Sequence, residues 1–198
     1  MIHLLKQKVM NGFDLDGLKK IQNKSTIIDG RNKYYDANYE FTTKCLFAIE
    51  MGLCINNKLS ILDISCGMGY FGYICKKLGH DVTVTDVSDP VYDEPLKAIF
   101  GLDKIIFGYP GDPWRFSPLP QNIGMFDGIS ALSVVPMSFW KQKDWILFID
   151  DCMNHMNNNG ILYIRPNGSD GLEELKRLAS KNKYYKKHTP EYIIFIKR

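Results

Sequence analysis

At 198 residues the chain has the length of one domain able to bury a substantial core, and its 45% hydrophobic and 24% charged content is that of a globular protein. A net charge of +3 is too slight to require a nucleic-acid partner, which ordinarily leaves a clustered basic face. Five scattered cysteines (Cys45, Cys54, Cys66, Cys75, Cys152) with no C-x-x-C pair speak against a disulfide framework or a metal site and fit a reducing, cytoplasmic setting, and no apolar run is long enough to predict a signal peptide or a membrane span.

Residues 1–57 read as a helical preface. Ile2, Leu4, Leu5 and Val9 suit a first short helix and Leu15, Leu18 and Ile21 a second, with a polar, turn-rich passage over 23–33. Tyr39, Leu46, Phe47, Ile49 and Met51 suit one longer helix over 35–51 that ends at Gly52. Such a preface can lie over a ligand mouth as a lid or simply complete the core.

From residue 58 the pattern alternates between strand and helix. Strands are predicted at 59–64, 81–85, 105–107, 126–134 and 161–164, and helices at 70–78, 92–100, 140–156 and 172–179. A Gly/Pro/Trp loop over 108–121 stands where a further helix is expected, and Asn157-Asn158-Asn159-Gly160 reads as a turn. Two last runs, 184–188 and 192–196, are joined by a connection short enough only for an antiparallel pair. Repeated alternation predicts a parallel sheet covered on both faces by right-handed crossovers.

The most informative stretch is Ile61-Leu62-Asp63-Ile64-Ser65-Cys66-Gly67-Met68-Gly69-Tyr70-Phe71-Gly72. A buried strand end runs through glycines straight into a helix, whose first turn offers free N–H groups and a positive dipole end. The next strand ends in Asp86, where a carboxylate of a parallel neighbour meets ribose hydroxyls. Gly67-x-Gly69-x-x-Gly72 also matches the dinucleotide pattern G-x-G-x-x-G. Two features weigh against a nicotinamide: Asp63 has no task in such a turn, and the chain carries no second set of catalytic elements after one sheet.

From Leu59 onward the sequence resembles the class I S-adenosylmethionine-dependent methyltransferases, most closely at Asp63-x-x-Cys66-Gly67-x-Gly69-x-x-Gly72. The resemblance implies an α/β, Rossmann-like, doubly wound and mostly parallel seven-stranded sheet with a C-terminal antiparallel hairpin, one domain of preface (1–57) and core (58–198). It also implies S-adenosyl-L-methionine as cofactor. The methionine part would be held by Asp63, Ser65, Cys66, Gly67 and Gly69, the ribose by Asp86 and Val87, and the adenine by the loop with Gly111, Asp112 and Trp114. Ala131 and Leu132 would line the cofactor from the fourth strand. One departure is Ser65, where the family often has glycine.

Methyl transfer from a sulfonium asks chiefly for alignment and needs a general base only when the acceptor must lose a proton early. None of the four histidines reads as that base: His80 and His155 precede strands, at the edge opposite the ligand, and His3 and His188 lie in the terminal segments. The open edge offers Tyr34, Tyr35, Ser138 and Arg165 as substrate-facing candidates, with Trp140 and Asn167 nearby. After the fourth strand stands Ser133-Val134-Val135-Pro136, in place of the Asn/Asp-Pro-Pro-aromatic turn of exocyclic-amine methylases, and no Pro-Cys pair is present there. A small-molecule or carbohydrate-like acceptor is therefore the expectation. The alternatives are a non-catalytic cofactor-binding partner subunit and, behind it, a nucleic-acid methylase reached through Lys181, Lys183, Lys186 and Lys187.

Overall fold

The computed structural model describes residues 1–24, 34–55, 57–106, 117–134, 140–166, 169–181, 183–189 and 191–198. The preface forms α1 (Ile2–Met10), α2 (Leu15–Lys24) and α3 (Ala37–Glu50). The core continues with β1 (Ser60–Ile64), α4 (Tyr70–Lys77), β2 (Asp81–Asp86), α5 (Pro90–Ala98), β3 (Lys104–Ile106) and β4 (Phe126–Val134). It closes with α6 (Gln142–Asn154), β5 (Met156–Pro166), α7 (Ser169–Ala179), β6 (Tyr185–His188) and β7 (Ile193–Ile196).

Among the described residues these strands form one sheet in the order β3-β2-β1-β4-β5-β7-β6. β1 pairs in parallel with β2 on one side and β4 on the other, and β7 pairs antiparallel with both β5 and β6. The α/β, Rossmann-like architecture expected from the alternating pattern is the one observed. The chain steps outward from β1 to β3, then returns to β4 on the other flank, so a crevice opens beyond the carboxyl ends of β1 and β4, where open α/β sheets bind ligands.

Side chains alternate across each strand, and the two faces build separate cores. Ile61, Val84, Leu132, Tyr163 and Ile194 pack under the preface and α4, while Leu62, Ile64, Ile129, Ala131, Leu162 and Phe195 pack under α6 and α7. Val9, Leu18, Phe41 and Phe47 are fully buried in the first core. Edge-on ring contacts join Phe13 to Phe41 at 4.8 Å, Phe41 to Tyr70 at 5.1 Å and Tyr70 to Phe100 at 4.7 Å. Each such aromatic contributes about 1.5–3 kcal/mol through burial, so these contacts hold the preface onto the sheet.

Several boundaries and faces differ from the sequence reading. Tyr39 and Leu46 point to solvent, and α3 instead buries Ala37, Glu40, Phe41, Cys45, Phe47 and Ala48. Residues 157–160 are not a turn but part of β5, accommodated by a register shift against β4, with Asn159 at φ 64°. α6 ends at Asn154, two residues before the predicted end, and the α5 helix begins at Pro90, where Asp89 caps it by accepting from the Val91 amide at 3.0 Å.

α3 is fastened at its far end as well. The Tyr163 hydroxyl donates to Glu50 at 2.7 Å, and its ring stacks on Tyr192 at 4.5 Å. Tyr163→Phe removes that bond and is expected to destabilise the chain by about 1 kcal/mol, read as a lower urea midpoint with an unchanged slope.

Candidate functional site

The crevice is built by the corner between β1 and α4. Three of its residues, Ser65 at φ 57°, Gly67 at φ 55° and Gly69 at φ 95°, take left-handed backbone, which reverses the chain within one turn. The Cys66 amide donates to the Thr85 carbonyl at 3.0 Å and ties the corner to β2. The three glycines do different work. A Cβ on Gly69 would lie 2.3 Å from Leu96 Cδ1, and one on Gly72 would lie 2.8 Å from Val84 Cγ1, so both are packing positions. A Cβ on Gly67 would meet nothing within 4 Å, so this glycine faces open space among the described residues.

Asp86 closes β2 and is locked into the same corner. Its carboxylate accepts from the Gly67 amide at 2.7 Å and from the Val87 amide at 2.7 Å. Burial raises its pKa, while those two amides and the nearby Lys104 ammonium favour the charged form. Lys104 itself is nearly enclosed, donating to Asp93 and to the Val87 carbonyl.

Asp63 stands one strand over, 2% exposed, on the face covered by α3 and α4. The Ser130 hydroxyl of β4 donates to its Oδ1 at 2.8 Å. Its Oδ2 is buried with no hydrogen-bond partner among the described residues. Burial pushes this carboxyl up to about 7 and Asp86 adds to the effect, against the Ser130 hydroxyl, the Lys44 ammonium and the Gly72 amide. The two acids are thus near enough to repel, on one rim of the crevice. A buried acceptor without a donor is costly, which makes the position one that asks for a cationic donor. Ser130→Ala removes a bond that favours the ionised form and should raise the Asp63 pKa by about one further pH unit, read by carbon NMR titration of its carboxyl.

α3 supplies charges that the sequence reading did not single out. Lys44 lies 3.7 Å from Glu40, and its ammonium is attracted by Asp63 and repelled by Arg165, with burial lowering its pKa overall. The Arg165 guanidinium sits 5.2 Å from the Phe47 ring and 3.4 Å from the exposed Glu191. An i,i+4 Glu–Lys pair on a helix ordinarily reads as a solvated face, so nothing in its spacing marks it. Ser130 carried a usable signal, as the one hydroxyl among the apolar residues 128–132.

The remaining candidates divide. Ser65 and Cys66 form the corner, half-buried, and Val87 contributes its amide to Asp86 while its side chain is exposed. Leu132 lies in the core on Asp63's face, but Ala131 is fully buried on the other face, with the α6 and α7 core, so its methyl is not brought to the crevice. Tyr34 is half-buried, accepting from the Tyr70 hydroxyl at 3.0 Å and meeting Tyr92 edge-on at 5.9 Å. Tyr35 is core. Asp112 and Ser138, with Gly111, Trp114 and Asn167, lie outside the described residues. His80 bridges the Leu53 carbonyl at 2.8 Å and the Leu59 amide at 3.2 Å, and His155 meets the Gly124 carbonyl at 3.1 Å.

No known family profile matches the sequence, and no curated protein matches it. Solved structures do. A methyltransferase of Pyrococcus furiosus superposes with a TM-score of 0.53 at 16% identity, covering 79% of this chain and 84% of that one. An O-methyltransferase family 2 protein of Planctomyces limnophilus, in complex with apigenin, gives 0.57 at 16% identity over 88% of this chain and 64% of that one. A TehB-like S-adenosylmethionine-dependent methyltransferase of Corynebacterium glutamicum gives 0.50 at 22% identity over 81% and 97%.

The fold is that of the S-adenosylmethionine-dependent methyltransferases. Within this methyltransferase fold, the corner, Asp63 and Asp86 occupy the carboxyl edge of β1 and β2, the place to which the sequence resemblance assigned the cofactor.

Proposed function

We propose that the chain is an enzyme that binds S-adenosyl-L-methionine and transfers its methyl group to a small-molecule or carbohydrate-like acceptor. The observation that carries this reading is the buried Oδ2 of Asp63, which has no hydrogen-bond partner among the described residues. A carboxylate there suits an ammonium, and the amino-acid end of this cofactor has one. Asp86 spends one lone pair of each oxygen on the corner amides, which leaves acceptor capacity for ribose hydroxyls. Gly67 leaves bare main chain for the ligand to lie against. When bound, the sulfonium supplies a methyl group already activated by its own charge.

A dinucleotide fits less well. The middle glycine of a dinucleotide turn lets the pyrophosphate approach the backbone. Here that space beside Gly69 is filled by Leu96. The chain's contribution to rate is alignment of the acceptor over the crevice, an orientation effect of up to about 7–11 kcal/mol. Among the described residues no helix is long and apolar enough to cross a membrane.

Calorimetric titration with S-adenosylhomocysteine and with NAD tests the reading. Binding of the first and not the second is expected, and the reverse would end it. Release of S-adenosylhomocysteine over pools of small acceptors separates an enzyme from a cofactor-binding partner subunit, which would give none.

A further inference from the structure

A lysine opens β3 and is almost shut away from water. The Lys104 side chain is 7% exposed, and its ammonium donates to the Asp93 carboxylate of α5 and to the carbonyl of Val87, the first residue beyond β2. Asp93 passes the grip on, accepting from the Ser88 hydroxyl at 3.3 Å and from the Asp89 amide at 3.4 Å. The Val87 amide meanwhile donates to Asp86 at 2.7 Å. Every residue from Asp86 to Asp89 is thus tied, directly or through one neighbour, to the pair of Lys104 and Asp93. Stability alone does not call for such a pair. Burying an ammonium is costly, and apolar side chains of similar volume in place of a buried ion pair are commonly neutral or stabilising.

We propose that Lys104 is a positioning residue, which acts through the 86–89 connection to aim the Asp86 carboxylate at ribose hydroxyls and so sets a preference for ribose over deoxyribose ligands. This rests on the proposed cofactor reading and extends it to an enclosed side chain outside the glycine corner. Of the two amides on Asp86, that of Gly67 belongs to the corner, and that of Val87 belongs to the connection that Lys104 holds. A carboxylate free to turn about its side-chain bonds loses that freedom on gripping a hydroxyl, whereas one already held by both amides has less to lose. The Lys104 ammonium also favours the charged form of Asp86, the stronger acceptor, against Asp89, which opposes it.

The test compares S-adenosylhomocysteine with its 2′-deoxyribose analogue by calorimetry on three proteins: wild type, Lys104→Met, and an apolar replacement of the whole pair, Lys104→Met with Asp93→Leu. Thermal unfolding of each is recorded alongside. Wild type is expected to lose about tenfold in affinity with the hydroxyl, as suits a bond to a charged acceptor. Both variants should bind S-adenosylhomocysteine about tenfold more weakly than wild type, yet bind the deoxy analogue about as well as wild type does. The double variant should melt within about 5 °C of wild type, so that stability returns while the ribose preference does not. A loss of the same factor for both ligands, or no loss, overturns the inference. So does failure of both variants to fold, which assigns the pair to stability. Equal binding of the two ligands by wild type overturns it as well and leaves the cofactor reading standing, whereas failure of S-adenosylhomocysteine to bind wild type overturns both.

Discussion

Asp63→Asn is expected to make the chain more stable at pH 8 while removing ligand binding. The folded carboxyl stands at about 7 against an ordinary value of 3.8. The native state therefore holds the proton more tightly than the unfolded chain, and stability declines as pH rises from about 4 to about 7, then levels off. At about 1.4 kcal/mol for each pH unit, the cost of the ionised group at pH 8 is at most about 4 kcal/mol, and relaxation around it brings this to the order of 2 kcal/mol. Asparagine removes the charge and keeps an oxygen to accept from Ser130. The melting temperature should rise by about 4–8 °C at pH 8 and by nothing near pH 4. In the same variant, affinity for S-adenosylhomocysteine should fall about a hundredfold, because the ammonium loses a charged acceptor in a buried place. Wild-type affinity should fall as pH drops below about 7, when Asp63 takes up its proton. A variant that melts lower than wild type at pH 8 would show that Asp63 carries no desolvation cost.

Substitutions at the first two glycines of the corner should have opposite characters. Gly69→Ala places a methyl 2.3 Å from Leu96 Cδ1 on a backbone at φ 95°, and both the clash and the conformation oppose it. A loss of about 3 kcal/mol or more is expected, with a large fall in soluble yield. Gly67→Ala meets nothing within 4 Å and sits at φ 55°, inside the left-handed region that other residues enter at a cost of about 1 kcal/mol. That variant should fold and melt a few degrees lower, yet bind S-adenosylhomocysteine at least about tenfold more weakly, because the added methyl occupies the face offered to the ligand. Equal binding by Gly67→Ala and wild type would mean that the ligand does not lie against this corner.

The contrast also shows what the sequence discloses. The corner is legible because its residue types are forced: reversed backbone, a tight helix start and an acid at each strand end leave few alternatives. The sheet is legible because strand and helix periodicities alternate cleanly from β1 onward. Other features depend on contacts between distant segments. Lys44 and Glu40 look like an ordinary solvated pair until α3 is laid across β1 and β5. Residues 157–160 carry turn chemistry but are held in β5 from the other side, where the Asn159 amide donates to the Lys197 carbonyl at 2.7 Å and the Lys197 amide to the Gly160 carbonyl at 3.1 Å, and the excess length against β4 is absorbed as an irregularity with Asn159 at φ 64°. Ala131 belongs to the opposite face from Ser130 and Leu132, which alternation alone could have indicated. Ser133 at φ 60°, with the register shift between Leu132 and Val134, breaks that alternation only after it.

The placement of β7 between β5 and β6 has a consequence for how the protein is made. On the ribosome, the flank of β5 stays bare until residues as late as Ile193–Ile196 have emerged, because the strand that covers it lies about thirty residues further along the chain, beyond α7 and β6. Until then the nascent chain presents a long unsatisfied strand edge to its neighbours, so crowding on polysomes and chaperone supply should govern yield more strongly than the thermodynamics of the finished fold.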